Sequence, residues 1–197
     1  FISDPVMEKI ESLSYDDLLK TRFAKGTGKP KGKMYYIKGQ KNEYDLQNAI
    51  IKGIKHTCKD MLTIPIPYFG VKGISTLASH VQKWPQKLGE KKAKQYLGQV
   101  VRMQEEIGTG GAGFRFLYAA FLQEASGILN TPELIECSEM MTQVGDQWRD
   151  FGVLAGRIFK NREKSENAYT EAAQILRNVR KAEETVFKQL NSLIKSI

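Results

Sequence analysis

Between Asn42 and Ile197, apolar residues recur every three or four positions, the spacing that gathers them on one side of an α-helix. Ile50, Ile51, Ile54, Cys58 and Met61 form the first stripe, with Asn42 as its candidate cap. Ile64-Pro65-Ile66-Pro67 then forces an extended break. A second helix is predicted from Gly70 to Gln82 on Val71, Ile74, Leu77, Ala78 and Val81, stopping before Trp84-Pro85. A third starts at Gly89 and carries Ala93, Tyr96, Leu97, Val100, Val101 and Ile107; a fourth carries Phe114, Leu117, Tyr118, Phe121, Leu122 and Ala125. In Asn130-Thr131-Pro132, Thr131 is placed to cap a fifth helix, and Pro132 sits at its first position, where a missing N–H breaks no bond. Its stripe runs Leu134, Cys137, Met141, Val144, Trp148, Phe151, Ala155 and Ile158, interleaved with Gly145, Gly152 and Gly156, which would let helices pack closely. A last helix, from about Glu166 to Ile197, repeats the pattern at Ala172, Leu176, Val179, Ala182, Val186, Leu190, Leu193 and Ile197. Such a seam serves bundle packing or, on a terminal helix, a homodimer. The expected fold is mostly α, a bundle of about six helices over residues 42–197.

Residues 1–41 read differently, as a connecting arm or the edge of a larger object. Phe1-Ile2-Ser3-Asp4-Pro5 resembles the end of a strand entering a turn, without its partner strands. Ser14-x-x-Asp17 is a capping box for a short helix from Tyr15 to about Ala24, with Leu18, Leu19 and Phe23 as its buried side. Met34-Tyr35-Tyr36-Ile37 is a short extended segment, an isolated strand in need of a partner. The chain opens on Phe1 rather than Met, so a fragment or a processed product is expected.

Charge adds one feature. The 197 residues carry 30 basic and 22 acidic side chains, a formal +8. Arg22, Lys25, Lys29, Lys31, Lys33, Lys38 and Lys41 follow one another without an acid, among Gly26, Gly28, Pro30 and Gly32. This is the composition of a solvated loop; a phosphate-tracking arm is the competing, less favoured reading. No apolar run approaches the ~20 residues of a membrane-spanning helix. With no secretory signal and two isolated cysteines, a cytoplasmic protein with reduced thiols is the expectation.

The stretch that stands out is Ile107-Gly108-Thr109-Gly110-Gly111-Ala112-Gly113-Phe114-Arg115. Four glycines in six positions interrupt two helical patterns, each weakening a helix by about 1 kcal/mol relative to Ala. Gly108, Gly110 and Gly113 match G-x-G-x-x-G, but a helix precedes them where a dinucleotide fold needs a strand. Phe114-Arg115 stands where a phosphate-binding loop needs Lys and Ser or Thr, so no nucleotide cofactor is expected. Two readings stay open. Amides of Gly108, Thr109, Gly110 and Gly111 at a helix start, with the forked donors of Arg115 and the hydroxyl of Tyr118, could bind an anion or an anionic part of a substrate. Alternatively the segment is a tight helix–helix corner, with Arg115 paired to an acid such as Glu105 or Glu106.

Other chemistry is poorly supported. His56 and Cys58 lie two apart on a helix and point to different faces, so they form no nucleophile–base pair. His80 could meet Cys58 or Cys137 only through the tertiary fold. Two His and two Cys without short spacing make a poor metal site, and no metal is expected. Glu105-Glu106 are adjacent rather than facing, and Trp84 and Trp148 read as core anchors.

Ile107-Gly108-Thr109-Gly110-Gly111 followed by Phe114-Arg115-x-Leu117-Tyr118-x-x-Phe121-Leu122-x-Glu124-Ala125 resembles the helical domain of uncharacterised function in butirosin biosynthesis protein H-like proteins. Gly73-Ile74-x-x-Leu77-Ala78, Trp84, Trp148, Ser3-Asp4 and Leu18-x-x-x-Arg22 match further positions, so the resemblance covers about residues 1–160. It implies a papain-like cysteine enzyme that moves an acyl group from an acyl carrier protein to an amine. Its nucleophile would lie in an N-terminal catalytic domain outside this chain, and no catalytic residue carries over to Cys58 or Cys137. The expected function is therefore a helical accessory domain on the substrate or acyl-donor side of such an acyltransferase or amide-processing enzyme, inactive alone. Its candidate partners would be the missing catalytic domain, an acyl carrier protein or a small amine, and a second copy of itself; nucleic acid and membrane are not expected. The alternative is a non-catalytic helical interaction or dimerisation module.

Overall fold

The computed structural model describes residues 9–26, 29–39, 44–107, 109–165 and 167–197. Two compact units divide the chain, residues 1–44 and 45–197.

Among its described residues the first unit holds one helix, α1 (Tyr15–Arg22). Ser14 caps it as the capping box requires: its Oγ accepts from the Asp17 amide at 3.2 Å and donates to the Asp17 carboxylate at 2.7 Å. Lys20 donates to the same carboxylate at 3.0 Å, and the Ser14 and Lys20 bonds together hold Asp17 below its ordinary pKa. The expected buried side of α1 does not form within this unit, since none of its residues is buried. Phe23 instead turns its ring onto Gly32. Met34–Ile37 takes no regular structure, and no strand forms among the described residues. The expected strand at Phe1–Pro5, the Asn42 cap and the boundary between residues 41 and 42 lie outside the described residues.

Among the described residues the second unit contains six α-helices: α2 (Leu46–Thr63), α3 (Gly70–Leu88), α4 (Glu90–Val101), α5 (Arg115–Leu129), α6 (Glu133–Phe159) and α7 (Ala168–Ser196). Asp45 caps α2, accepting from the Asn48 amide at 2.9 Å. The two longest helices, α6 and α7, pack together at the centre; α2 and α3 cover α7, while α4 and α5 cover α6. The core follows the stripes: every apolar position expected on α6 is buried, as are Ile50, Ile54 and Cys58 of α2 and Leu176, Val179, Val186 and Leu190 of α7. The α7 seam is thus occupied within the bundle, leaving Ile197 exposed at its end.

Three local expectations are corrected. α3 runs on to Leu88 with Pro85 inside it; a proline in the last turn removes only one hydrogen bond, and the Pro85 carbonyl still accepts from Gly89 at 3.1 Å. Thr131 does not cap α6. Its hydroxyl donates back to the Leu129 carbonyl at 3.2 Å, while its amide and carbonyl are bonded to Ser126, tying off the end of α5. On α5 the inward face is displaced: Leu117 and Phe114 are exposed, and Ala119 and Ser126 are buried beside Leu122 and Ala125.

Of the α6 glycines, Gly145 is a contact point. A Cβ there would lie 2.6 Å from the Phe116 ring, over which the Arg149 guanidinium stands 4.7 Å from the ring centre. Gly145→Val should therefore overpack the α5–α6 interface and lower stability by about 1–3 kcal/mol, read as a shift in the urea midpoint. Gly156→Ala, with nothing within 4 Å of the added carbon, should leave that midpoint unchanged or raise it.

Candidate functional site

The glycine segment folds as a left-handed turn. α4 widens into a π-helical turn at Arg102–Glu106, closed by the Ile107 amide on the Arg102 carbonyl at 3.1 Å. Gly110, Gly111, Ala112, Gly113 and Phe114 then all take positive φ, from 49° to 87°. Three of these five are glycine, for which that region carries no steric cost; Ala112 and Phe114 are held there against their preference.

Several polar groups of the turn are bonded by its own side chains and their neighbours. The Thr109 hydroxyl donates to the Gln104 carbonyl at 2.8 Å and accepts from the Gly111 amide at 3.2 Å. The Ala112 amide donates to Glu105 Oε1 at 3.2 Å. Glu105 therefore caps the turn and does not pair with Arg115. Gly110 is exposed, and Gly108 lies outside the described residues.

Arg115, the first residue of α5, reaches a partner that sequence spacing does not disclose. Its Nε donates to Glu183 Oε1 at 2.8 Å and its Nη2 to Glu183 Oε2 at 3.1 Å, a two-pronged bond to α7. Its Nη1 donates to the Gly113 carbonyl at 2.7 Å. Trp148 of α6 donates its indole N–H to Glu183 Oε1 at 2.6 Å, and the guanidinium stands 5.2 Å from the Trp148 ring centre. Glu183 is wholly buried, while the Arg115 side chain is 22% exposed. The expected pairing with Glu105 or Glu106 is replaced by a clamp joining the turn, α5, α6 and α7. In this arrangement the guanidinium and the Gly111 amide of the candidate anion site are already engaged.

Beside the clamp opens a cleft of about 190 Å³ between α2, α5, α6 and α7. Met61, Phe114, Met141 and Phe187 give it apolar walls, with Thr57, Gly113, Arg115 and Tyr118 completing them. Tyr118 packs its ring against Phe121 and Phe187, at 5.6 and 6.0 Å between centres. Its buried hydroxyl has no partner in hydrogen-bond geometry. Thr57 is close by: its hydroxyl donates to the Gly53 carbonyl at 3.0 Å and keeps lone pairs toward the phenol, whose pKa its side chain lowers. Burial, then the neighbouring Cys58 thiol, push the Tyr118 phenol well above its ordinary pKa, so it stays protonated.

Neither cysteine is prepared as a nucleophile. Both are free and buried. Burial raises the Cys58 thiol to about 11, helped by Cys137, and burial with Glu136 raises Cys137 likewise to about 11. His56 faces outward toward Asp60, 3.1 Å away, and His80 is exposed on α3. Trp148 is a core anchor as expected, and Trp84 stacks obliquely near Tyr96 at 5.8 Å. Missed in the sequence was Glu183, although it stands on the apolar stripe, four residues after Val179 and three before Val186.

Fold and site together define an all-helical bundle whose glycine corner is clamped by a buried ion pair and flanked by an apolar cleft. The chain belongs to the family described as a domain of unknown function (DUF4872), whose model matches residues 16–190. That match takes in the clamp from both sides, including most of α7. No curated protein and no solved structure matches the chain.

Two outcomes follow from these contacts. Arg115→Ala should cost about 3–5 kcal/mol of unfolding free energy by leaving Glu183 charged and buried, whereas Arg115→Met with Glu183→Leu should recover much of the loss; urea titration measures both. The thiols make the fold sensitive to alkali. Unfolded cysteines ionise near 9.0 and the folded ones near 11, so the unfolded state binds fewer protons in that window and stability falls as pH rises through it. Below pH 9 these thiols should contribute no slope, and replacing both by Ala should flatten the decline above it.

Proposed function

We propose that this chain is a helical accessory domain on the substrate or acyl-donor side of a cysteine-type acyltransferase or related amide-processing enzyme. The observation that carries the reading is the apolar cleft set on a clamped corner, a recess suited to hold part of a substrate. Buried, proton-holding thiols at Cys58 and Cys137 fit a division of labour in which the nucleophile belongs to another region. The glycine–arginine–tyrosine segment links the reading to butirosin biosynthesis protein H-like proteins, and that resemblance supplies the reaction class, with an acyl carrier protein or a small amine as co-substrate. The clamp alters the expected role of Arg115. It holds the corner in shape, and the cleft beside it receives the ligand.

The test uses the parent polypeptide in an acyl-transfer assay. Alkylation at pH 7 should abolish turnover by modifying a cysteine outside residues 1–197 while Cys58 and Cys137 stay unlabelled, and Phe114→Ala should raise KM for the acyl donor with kcat nearly unchanged. A parent protein whose activity needs no cysteine, or whose KM ignores Phe114, would overturn the reading.

A further inference from the structure

Charge is unevenly spread over the bundle, and it gathers on α3 and α4. Between Asp60 and Glu105 the chain carries six lysines and one arginine against a single acid, Glu90. Glu90 is already engaged by Lys94. Lys83, Lys87, Lys91 and Lys92 stand exposed around the α3–α4 turn, and none forms an ion pair among the described residues. Lys87 gains from its place in the last turn of α3. The others do not: Lys83 is a like charge four residues from Lys87, and Lys91 and Lys92 occupy the first turn of α4, where the helix dipole favours acids. A charge pattern that works against its own helices is compensated when an anion binds.

The second observation lies among these charges. A notch of about 240 Å³ is lined by His80, Lys83, Trp84, Lys87 and Leu88 of α3 and by Tyr96 of α4. No carboxylate lines it. Trp84 packs against the core, Tyr96 is 52% exposed, and the two rings are tilted by 41° with centres 5.8 Å apart. Among the described residues no cation stands over either ring, so the lysines are not held on the aromatic surface.

Such a lining selects a ligand with two parts. Aromatic surface takes a flat ring by stacking, and two ammonium groups beside an imidazole take an anion such as phosphate. A cation is repelled, and a neutral apolar molecule leaves the lysines unmatched. The volume exceeds the ~150 Å³ that encloses a benzene ring in another protein, so the notch holds a base while sugar and phosphate lie along its lysine rim.

We propose that this notch binds a nucleotide, with the base against Trp84 and Tyr96 and the phosphate on Lys83 and Lys87. No residue of the glycine corner lines it, and the inference is independent of the accessory-domain reading. A free nucleotide and a nucleotide unit of a single strand present the same chemistry here.

Isothermal titration of the intact chain tests the proposal and separates the two sources. Adenosine monophosphate should bind saturably at one site. Adenosine, which lacks the phosphate, and ribose 5-phosphate, which lacks the base, should each bind about tenfold more weakly or worse. Lys83→Gln with Lys87→Gln should bring the nucleotide down to the adenosine level, and Tyr96→Leu should weaken the nucleotide while leaving ribose 5-phosphate unchanged. Lys52→Gln with Lys55→Gln removes the same charge from α2 and should leave nucleotide binding as it was. All five side chains are exposed, so an unchanged thermal midpoint should accompany each variant. An oligoadenylate that binds tighter than the mononucleotide, and tighter than a base-free strand with the same number of phosphates, identifies the strand as the source; affinity no higher than the mononucleotide's identifies the free nucleotide. Nucleotide binding matched by either half of the molecule, an equal loss in the α2 and α3 lysine variants, or no saturable binding of mononucleotide or oligoadenylate would each overturn the proposal.

Discussion

A carboxylate buried in an apolar bundle is the constraint from which the rest of this corner follows. Glu183 sits in the core of α7 with no access to water, and an unpaired charge there would cost several kcal/mol. Three donors meet it, two from Arg115 and one from Trp148. Because Arg115 is the first residue of α5 and Trp148 lies midway along α6, satisfying Glu183 fixes where α5 must begin and how far it stands from α6 and α7. The remaining arm of the guanidinium holds the Gly113 carbonyl, which carries the constraint into the turn. A buried ion pair of this kind is weak evidence for extra stability, but its directional, two-pronged geometry specifies one arrangement of three helices.

The left-handed turn is the backbone's answer to that placement. A chain leaving the π-helical end of α4 has to reverse and deliver Arg115 to Glu183 within a few residues. Five successive positive φ values achieve this, and the glycines make most of the path free of Cβ clashes. Gly113 is the tightest point: an added Cβ would meet Gln104 and Arg115 at 2.6 and 2.7 Å. Thr109 and Glu105 then take up the Gly111 and Ala112 amides, so the turn is held by its own side chains as well as by the clamp. The glycines are thus explained by close approach and handedness.

How much of this could be read from the residues differs from element to element. The stripes of α2, α6 and α7 were legible because a 3.6-residue period in a long helix averages over many positions. On α5 the same rule pointed Phe114 and Leu117 inward, and it failed because the left-handed turn rotates the helix start; the face that packs holds Ala119 and Ser126, whose small side chains give a weak hydrophobic signal. The importance of the glycine segment was visible, as was the need of Arg115 for an acid. Its partner was not, since Glu105 and Glu106 were near in sequence while Glu183 is 68 residues away. One cue existed: an acid occupying a stripe position between Val179 and Val186 cannot reach solvent and must be paired.

The same clamp decides what kind of chemistry the corner can offer. A free guanidinium above open amides would draw anions, and the electrostatic attraction would dominate any apolar contact nearby. With Arg115 matched by Glu183, that attraction is cancelled locally, and what is left facing the cleft is mainly aromatic and thioether surface. An apolar recess keeps its shape only if its walls are fixed. The ion pair supplies that fixity from behind. It removes charge from the cleft and holds the turn through the Gly113 carbonyl, so the residue that most resembled a ligand-binding group in the sequence acts as the frame for its neighbours.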